Sequence, residues 1–340
     1  MKSLRVLAVC LPEQLPPDSL EGLSEKQIYE RKTEWDVFNA IRQNGHELRP
    51  LGVKNELAPL REQIETWKPD IVFNLLDEFH GQTVYCQNVA SFLELMKVPY
   101  TGCNPRGMML SQGKDLSKKL LKYHRIPTPA FAVFPRGRKV KRPGRLAFPL
   151  IVKSTTEDSS FGIAQASVVD SDEKLEERVH YIHDAIGTAA IAEQYIHGRE
   201  LYVGVVGNER LTVLPVWEFE FNGLPARALP IATENVKHNL EYQKKRGITD
   251  RAADLSPQLA ARIRDYVRRI CRILELDGYN RIDFRLGTDG VPYFIEANPN
   301  PDIAESEELA QSAIHDGLTY PELINRMLAL GLQRANASED

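Results

Sequence analysis

Residues Gly278 to Asp302 read GYNRIDFRLGTDGVPYFIEANPNPD. The pattern predicts a strand from Arg281 to Leu286, an Asp289-Gly290 turn of the kind that closes a two-residue hairpin, and a second strand from Pro292 to Ala297. Strand alternation turns Ile282, Phe284 and Leu286 to one face and Arg281, Asp283 and Arg285 to the other, an acid between two arginines. Glu296 and Asn298, two apart on the second strand, share a face that the hairpin folds beside Asp283. Two carboxylates and a carboxamide are hard oxygen ligands, the set that suits Mg²⁺ held between protein and phosphate oxygens. An acid between two ions, with one ligand on either side, would let Asp283, Glu296 and Asn298 serve a pair of them. A solvated sheet face would explain any one of these residues; all three together, beside Arg281 and before a Pro-rich loop, favour a site.

Upstream, FPLIVKS predicts a strand ending in Lys153, and TTEDSSFGIAQASVV a small-residue loop leading into another strand. Amides and hydroxyls of such a loop, next to a lysine point charge, can position a triphosphate, although many surface loops are equally rich in serine and threonine. Lys114, at the start of a predicted helix, is a second point charge or one more surface lysine. The strand AAIAEQYI leaves the core past Glu193 through Gln194, Tyr195 and Ile196, whose backbone offers alternating donors and acceptors to an adenine edge. Glu200 follows, either as an acceptor for both ribose hydroxyls or as a solvent-paired residue at a strand start.

A chain of 340 residues is too long for one small core and suits two or three domains. With 42% hydrophobic and 26% charged residues it falls in the soluble globular range, and a formal charge of -4 provides no basic footprint for nucleic acid. The opening MKSLRVLAVCLPEQLPP is interrupted by Pro12 and Glu13 too soon for a signal peptide, and no segment approaches membrane-spanning length, so the expected location is the cytoplasm. Cys10, Cys86, Cys103 and Cys271 form no C-x-x-C pair and read as reduced, buried thiols.

The N-terminal third alternates strands (LRVLAVCL, HELRPLGV, DIVFNLL, PYTGC) with helices (EWDVFNAIRQNG, LAPLREQIETWKP, TVYCQNVASFLELMKV). This order predicts an open parallel α/β domain whose ligand crevice lies past the carboxyl ends of the strands, where His80 and Gly81 sit. No G-x-G-x-x-G follows the first strand, and SQGKDLS lacks the earlier glycine of a P-loop, so this domain reads as a substrate platform without NAD. Farther on, RELYVGVVGNERLTVLPVWEFEF predicts a long hairpin through Gly207-Asn208, and a polar loop is expected from about Asn222 to Asp254. Helices follow in PQLAARIRDYVRRICRIL and TYPELINRMLALGL.

FPLIVKSTTEDSSFGI, AEQYIHGREL and YNRIDFRLGTDGVPYFIEANPNP, in this order and separation, resemble the ATP-grasp superfamily, and within it the D-alanine:D-alanine ligases. FNLLDEFHGQ, LELMKVPYTGCNPRGMMLSQGKDLSKKLL and the closing GLTYPELINRML fit the same likeness. The resemblance implies an N-terminal α/β domain over residues 1–112, then a two-lobed ATP-grasp fold of α+β lobes with a central lobe over 113–193 and a C-terminal lobe over 194–340. It implies an ADP-forming carboxylate-amine ligase with ATP between the lobes and two Mg²⁺ ions, which Mn²⁺ can replace. Lys114 and Lys153 would meet the phosphates, Glu193 with the backbone of Tyr195 and Ile196 the adenine, and Glu200 the ribose. Asp283 and Glu296 would hold one ion, Glu296 and Asn298 the other, and Arg281 would stabilise the tetrahedral oxyanion. The loop with Ser159 and Ser160 and the segment with Lys237, Tyr242 and Lys244 would close over the reaction, with Lys237 as the phosphate contact. The implied partners are a small carboxylate and an amine of amino-acid or dipeptide type, without nucleic acid or membrane, and a homodimer. Two alternatives share the nucleotide site: an ATP-grasp phosphotransferase and a non-catalytic nucleotide-binding partner protein.

The chain departs from the ligase pattern where the substrates would sit. E-x-N-x-x-P-G ends here in Asp302, Glu307 stands at a serine that helps hold the second substrate's carboxylate, with Glu305 and Glu308 beside it, and Asp158 replaces a loop glycine. Acids repel a carboxylate and attract a cation, so the expected acceptor amine differs from D-alanine: a basic amino acid or a polyamine-like group. Glu30 and Glu34 lie near the position of the family's first-substrate acid.

Overall fold

The computed structural model describes residues 2–157, 161–225, 228–233, 236–237 and 239–337. Its first sheet is parallel, with strand order β2-β1-β3, from β1 (Arg5–Cys10), β2 (Glu47–Gly52) and β3 (Ile71–Asn74). Helices α1 (Glu25–Tyr29), α2 (Lys32–Gln43), α3 (Ala58–Trp67) and α4 (Cys86–Leu95) fill the connections, and α5 (Pro105–Gln112) and α6 (Lys114–Tyr123) lead onward. β1 is an unbroken apolar run because both its faces are covered. Val6, Ala8 and Cys10 pack with Val37, Phe38 and Ile41 of α2, while Leu7 and Val9 pack with Leu60 of α3 and Val89 and Leu93 of α4. The expected short strand at PYTGC reduces to one parallel bridge, Val72 with Tyr100.

An antiparallel sheet of order β4-β7-β5-β6 follows, from β4 (Phe131–Phe134), β5 (Leu150–Ser154), β6 (Val168–Val169) and β7 (Ala190–Gln194), with α7 (Asp172–Tyr181) between β6 and β7. Leu150, Val152, Ala190 and Ala192 bury against Leu175 and Val179 of α7. Alternation then sends Lys153 and Glu193 to the opposite face, toward the rest of the chain.

The third sheet, of order β10-β9-β8-β11-β12, is antiparallel. Its strands are β8 (Gly198–Val206), β9 (Thr212–Phe221), β10 (Ile248–Ala252), β11 (Tyr279–Gly287) and β12 (Pro292–Pro299), with α8 (Leu240–Arg246) before β10 and α9 (Pro257–Ile273) after it. The apolar stripe Ile263, Val267 and Ile270 of α9 covers Leu201, Val203, Ile282 and Phe284, which leaves the polar residues of β8 and β11 on the other face. Helices α10 (Glu308–His315) and α11 (Tyr320–Ala337) close the chain, and Leu323, Ile324 and Met327 of α11 return to the core beneath β1.

Two local expectations are corrected. The segment expected as a polar loop contains α8, capped by the Asn239 side chain accepting from Tyr242 N at 2.9 Å, and the edge strand β10. Edge strands tolerate charge because one side faces solvent, so Ile248 to Ala252 carries no run of hydrophobic residues; Trp217 Nε1 donates to Asp250 Oδ2 at 2.9 Å and pins it. The β11–β12 hairpin is closed by three residues, Thr288 to Gly290, with Gly290 at φ +75° and Gly290 N donating to Gly287 O at 2.9 Å. The ladder also slips between Asp283 and Phe284, leaving Ile295 as an extra residue on β12.

Candidate active site

Asp283 and Glu296 are cross-strand partners on β11 and β12, and Asn298 stands opposite Arg281, so the four residues share one face as their spacing predicts. Arg281 clamps Asp283 with two bonds, Nε to Oδ1 at 2.8 Å and Nη2 to Oδ2 at 3.0 Å, and its Nη1 lies 3.4 Å from Glu308 Oε2. Asn298 Nδ2 donates to Asp283 Oδ2 at 3.0 Å; the donor end of the amide is thereby committed and its oxygen is the end left for a cation. Burial pushes the Asp283 carboxyl up to about 6 even against Arg281. Glu296 behaves oppositely. Burial opposes its charge, yet Lys114, Lys153, Lys237 and Arg281 together hold it below the usual carboxylate range.

The three lysines among those cations come from three parts of the chain. Lys114 opens α6, and its Nζ lies 3.3 Å from Glu296 Oε2 while donating to Glu157 O at 2.8 Å. Lys153, next to last in β5, reaches Glu193 Oε1 at 3.1 Å. Lys237 sits 5.6 Å from the ring centroid of Tyr202, the cross-strand neighbour of Asp283. Ser160, with Asp158 and Ser159, lies outside the described residues.

One participant escaped the sequence reading. Lys118, a turn after Lys114 on the buried side of α6, is 0% exposed. Its Nζ lies 3.4 Å from Glu193 Oε2, donates to Ile295 O and stands 5.1 Å over the Phe294 ring. The bulge explains that contact: the extra residue offers its carbonyl to the lysine. Burial lowers the Lys118 ammonium to about 8, with Glu193 opposing the shift. The i, i+4 spacing in KDLSK was the available signal.

Glu193, 1% exposed, keeps one carboxylate oxygen, Oε1, without a well-aligned hydrogen bond despite the nearby Lys153. A buried acceptor of this kind fits the exocyclic amine of a purine. Tyr195, Ile196 and Glu200 are gathered beside it, held by Arg285: Ile196 O and Glu200 Oε2 accept at 2.9 and 2.8 Å. The Tyr195 N–H is already bonded to Pro149 O at 2.9 Å. Among the described residues no group of three or more His, Cys, Asp or Glu is placed to hold a metal. An ion at Asp283 and Glu296 therefore needs phosphate or water oxygens to complete its shell, which is how Mg²⁺ binds with nucleotides.

Acids gather where the loop after β12 meets α2. Lys32 of α2 forms an ion pair with Glu307 and lies 4.5 Å over the Tyr29 ring. Thr33 Oγ1 donates to Asp302 Oδ1 at 2.7 Å, and Glu305 N to Asp36 Oδ2 at 2.9 Å. The chain thus brings its own ammonium to Glu307, a partner that sequence spacing did not reveal. Burial raises Glu307 to about 7, with Asp302 and Glu308 adding to the shift and Lys32 opposing it. Glu30 faces Lys26 and Arg31 at 3.7 and 3.8 Å, whereas Glu34 is 4% exposed and burial, with Asp302, lifts it to about 8.

The family described as D-ala D-ala ligase C-terminus matches residues 120–329. A D-alanine--D-alanine ligase from Syntrophotalea carbinolica is 30% identical over 312 residues, 91% of this chain and 93% of that one. An uncharacterized protein, y4sG, from Sinorhizobium fredii is 32% identical over 306 residues, 88% of this chain and 87% of its own. The crystal structure of a Bacillus anthracis D-alanine--D-alanine ligase complexed with ATP superposes with a TM-score of 0.75 at 21% identity, covering 98% of this chain and 99% of that one. This likeness identifies the fold as ATP-grasp.

Proposed function

Because the chain belongs to the D-ala D-ala ligase C-terminus family, we propose that it is an ATP-dependent, ADP-forming ligase that joins a carboxylate to an amine through an acyl phosphate. The supporting observation is the approach of Lys114 on α6 to Glu296 on β12, 3.3 Å across two lobes, which sets a phosphate-binding cation against a magnesium-binding acid. The lobes are the 113–193 and 194–340 parts of the chain, with 1–112 as the substrate platform.

Magnesium ATP, when bound, supplies the activated γ-phosphoryl group and neutralises its charge. Lys114, Lys153 and Lys237 orient the phosphates; Asp283, Glu296 and Asn298 supply the metal ligands; Glu193 and the strand exit at Tyr195 and Ile196 read the base; Glu200 takes the ribose. Arg281 stabilises the oxyanion that forms when the amine attacks the acyl phosphate, a role for a fixed buried guanidinium. Ser160 and the Lys237 segment exclude water from that intermediate.

The acceptor amine is cationic rather than D-alanine. Asp302 and Glu305 support this; Glu307 is already paired with Lys32, so a substrate ammonium would meet the remaining acids or displace that lysine. The reading also takes the cytoplasm as the setting and a homodimer as the assembly, which sedimentation would check. ADP release measured over a panel of amino acids, dipeptides and diamines tests the proposal. Release that needs both a carboxylate and an amine, with cationic amines among the best, is expected. Release independent of any amine would point to phosphoryl transfer, and D-alanine as best acceptor with cationic amines inert would overturn the acceptor assignment.

A further inference from the structure

Arg285 is the second arginine of RIDFR, and the chemistry above gives it no role. It is only 6% exposed, and every arm of its guanidinium is used. Nε donates to Ile196 O at 2.9 Å, Nη1 to Glu200 Oε2 at 2.8 Å, and Nη2 to both Tyr195 Oη at 3.0 Å and Pro230 O at 2.6 Å. These acceptors belong to separate pieces of the molecule: the strand exit that joins the two lobes, the acid at the start of β8, and the segment between β9 and α8. A lysine could not span them, because one ammonium lacks the planar fork.

The Glu200 carboxylate is fixed from both ends. Tyr202 Oη donates to its Oε1 at 2.8 Å while Arg285 holds Oε2. Each oxygen keeps a further lone pair, so two neighbouring hydroxyls of a ribose would meet an acceptor pair already oriented. The Pro230 contact carries the same guanidinium to the segment ahead of Lys237. Its neighbour Leu229 is held on the other side by Gln165, whose Nε2 donates to Leu229 O at 3.0 Å and whose Oε1 accepts from Leu229 N at 2.8 Å. Leu229 and Pro230 thus form a clasp between Gln165 after β5 and Arg285 on β11.

We propose that Arg285 is a specificity and positioning residue of the nucleotide site: it sets Glu200 for the two ribose hydroxyls and fastens the Leu229–Pro230 clasp with the same group. This role rests on the ATP reading above. The test is direct calorimetric binding of ATP and of 2′-deoxy-ATP, each with Mg²⁺, to wild type, R285M, R285K and Q165L. Hydrogen bonds to charged groups carry enough energy that R285M should bind ATP about tenfold or more weakly. The preference of wild type for ATP over its 2′-deoxy analogue should fall toward unity in R285M and be partly restored in R285K, which keeps the charge on Glu200. Q165L should loosen the clasp, weakening both nucleotides alike with the preference intact. A purely structural arginine would lower the melting temperature without moving the preference, and that result overturns the proposal. If R285M fails to fold, R285K decides: a preference equal to wild type overturns the role. Wild type that binds no ATP would sink the ligase reading itself, whereas ATP binding with an unaltered preference in the variants sinks this role alone.

Discussion

A carboxyl group removed from water resists ionisation, and Glu34 on α2 shows it most plainly. Its pKa stands near 8 in the folded chain against an ordinary 4.5. Between those two values the unfolded chain has lost the proton and the folded chain keeps it, so stability falls as pH rises through the interval and levels off above it. Glu34→Gln should therefore leave the melting temperature at pH 5 nearly unchanged and raise it at pH 8 by about 2 °C or more, a comparison that thermal melts at both values would settle. The hairpin acids call for a different measurement. Glu296→Gln keeps the shape but removes the charge that four cations surround, and ADP formation should drop by about a hundredfold or more while the fold survives. The grouping of Arg281, Asp283, Glu296 and Asn298 was legible in the sequence, because a period of two on paired strands leaves no other arrangement. The partners of Glu307, Glu193 and Glu200 were not: Lys32, Lys118 and Arg285 reach them from other elements, and no spacing encodes which face meets which.

Among the elements, the bulge at Ile295 ties α6 to β12. Its carbonyl is bonded to the buried Lys118, which also holds Glu193 of β7, so one ammonium joins three elements. Replacing Lys118 with Met leaves Glu193 with Lys153 alone and the bulged carbonyl without its donor. Breaking a buried pair from one side costs about 3–5 kcal/mol, and urea unfolding of K118M should show a loss of that order together with weaker ATP binding. The strongly patterned elements, β1, α9 and the β8–β9 hairpin, were readable because one apolar face or a continuous apolar run declares them. β10 was not, since an edge strand with Asp250 and Arg251 looks like a loop until β9 is known to lie beside it.

For the molecule as a whole, the join between the hairpin and the first sheet matters most. Gly278 has φ +69°, and a Cβ there would press on the backbone carbonyl of Gly102. Arg334 of α11 donates to that same carbonyl at 2.7 Å and to Asp277 Oδ2 at 3.1 Å, so three regions of the chain meet at one point. Gly278→Ala combines backbone strain with a backbone clash and should cost roughly 3 kcal/mol or more, seen as a lower urea midpoint, even though the residue touches no expected ligand. The βαβ units of the first domain were foreseeable from the order of elements, and the two lobes after them from the resemblance to ATP-grasp ligases; the seam was not, because it depends on contacts between Gly102, Gly278 and Arg334, far apart along the chain.

The placement of α11 beneath β1 has a consequence for synthesis. A nascent chain that has delivered β1, α2 and β3 still displays Val6 and Ile71 of the sheet, with Phe38 of α2 beside them, until their cover, Leu323, Ile324 and Met327, has been translated after both antiparallel sheets. At ribosomal speeds that interval is roughly ten seconds to a minute, long enough for an uncovered apolar face to need shelter from other chains. The parallel sheet is therefore completed only after the two antiparallel sheets that follow it in the chain.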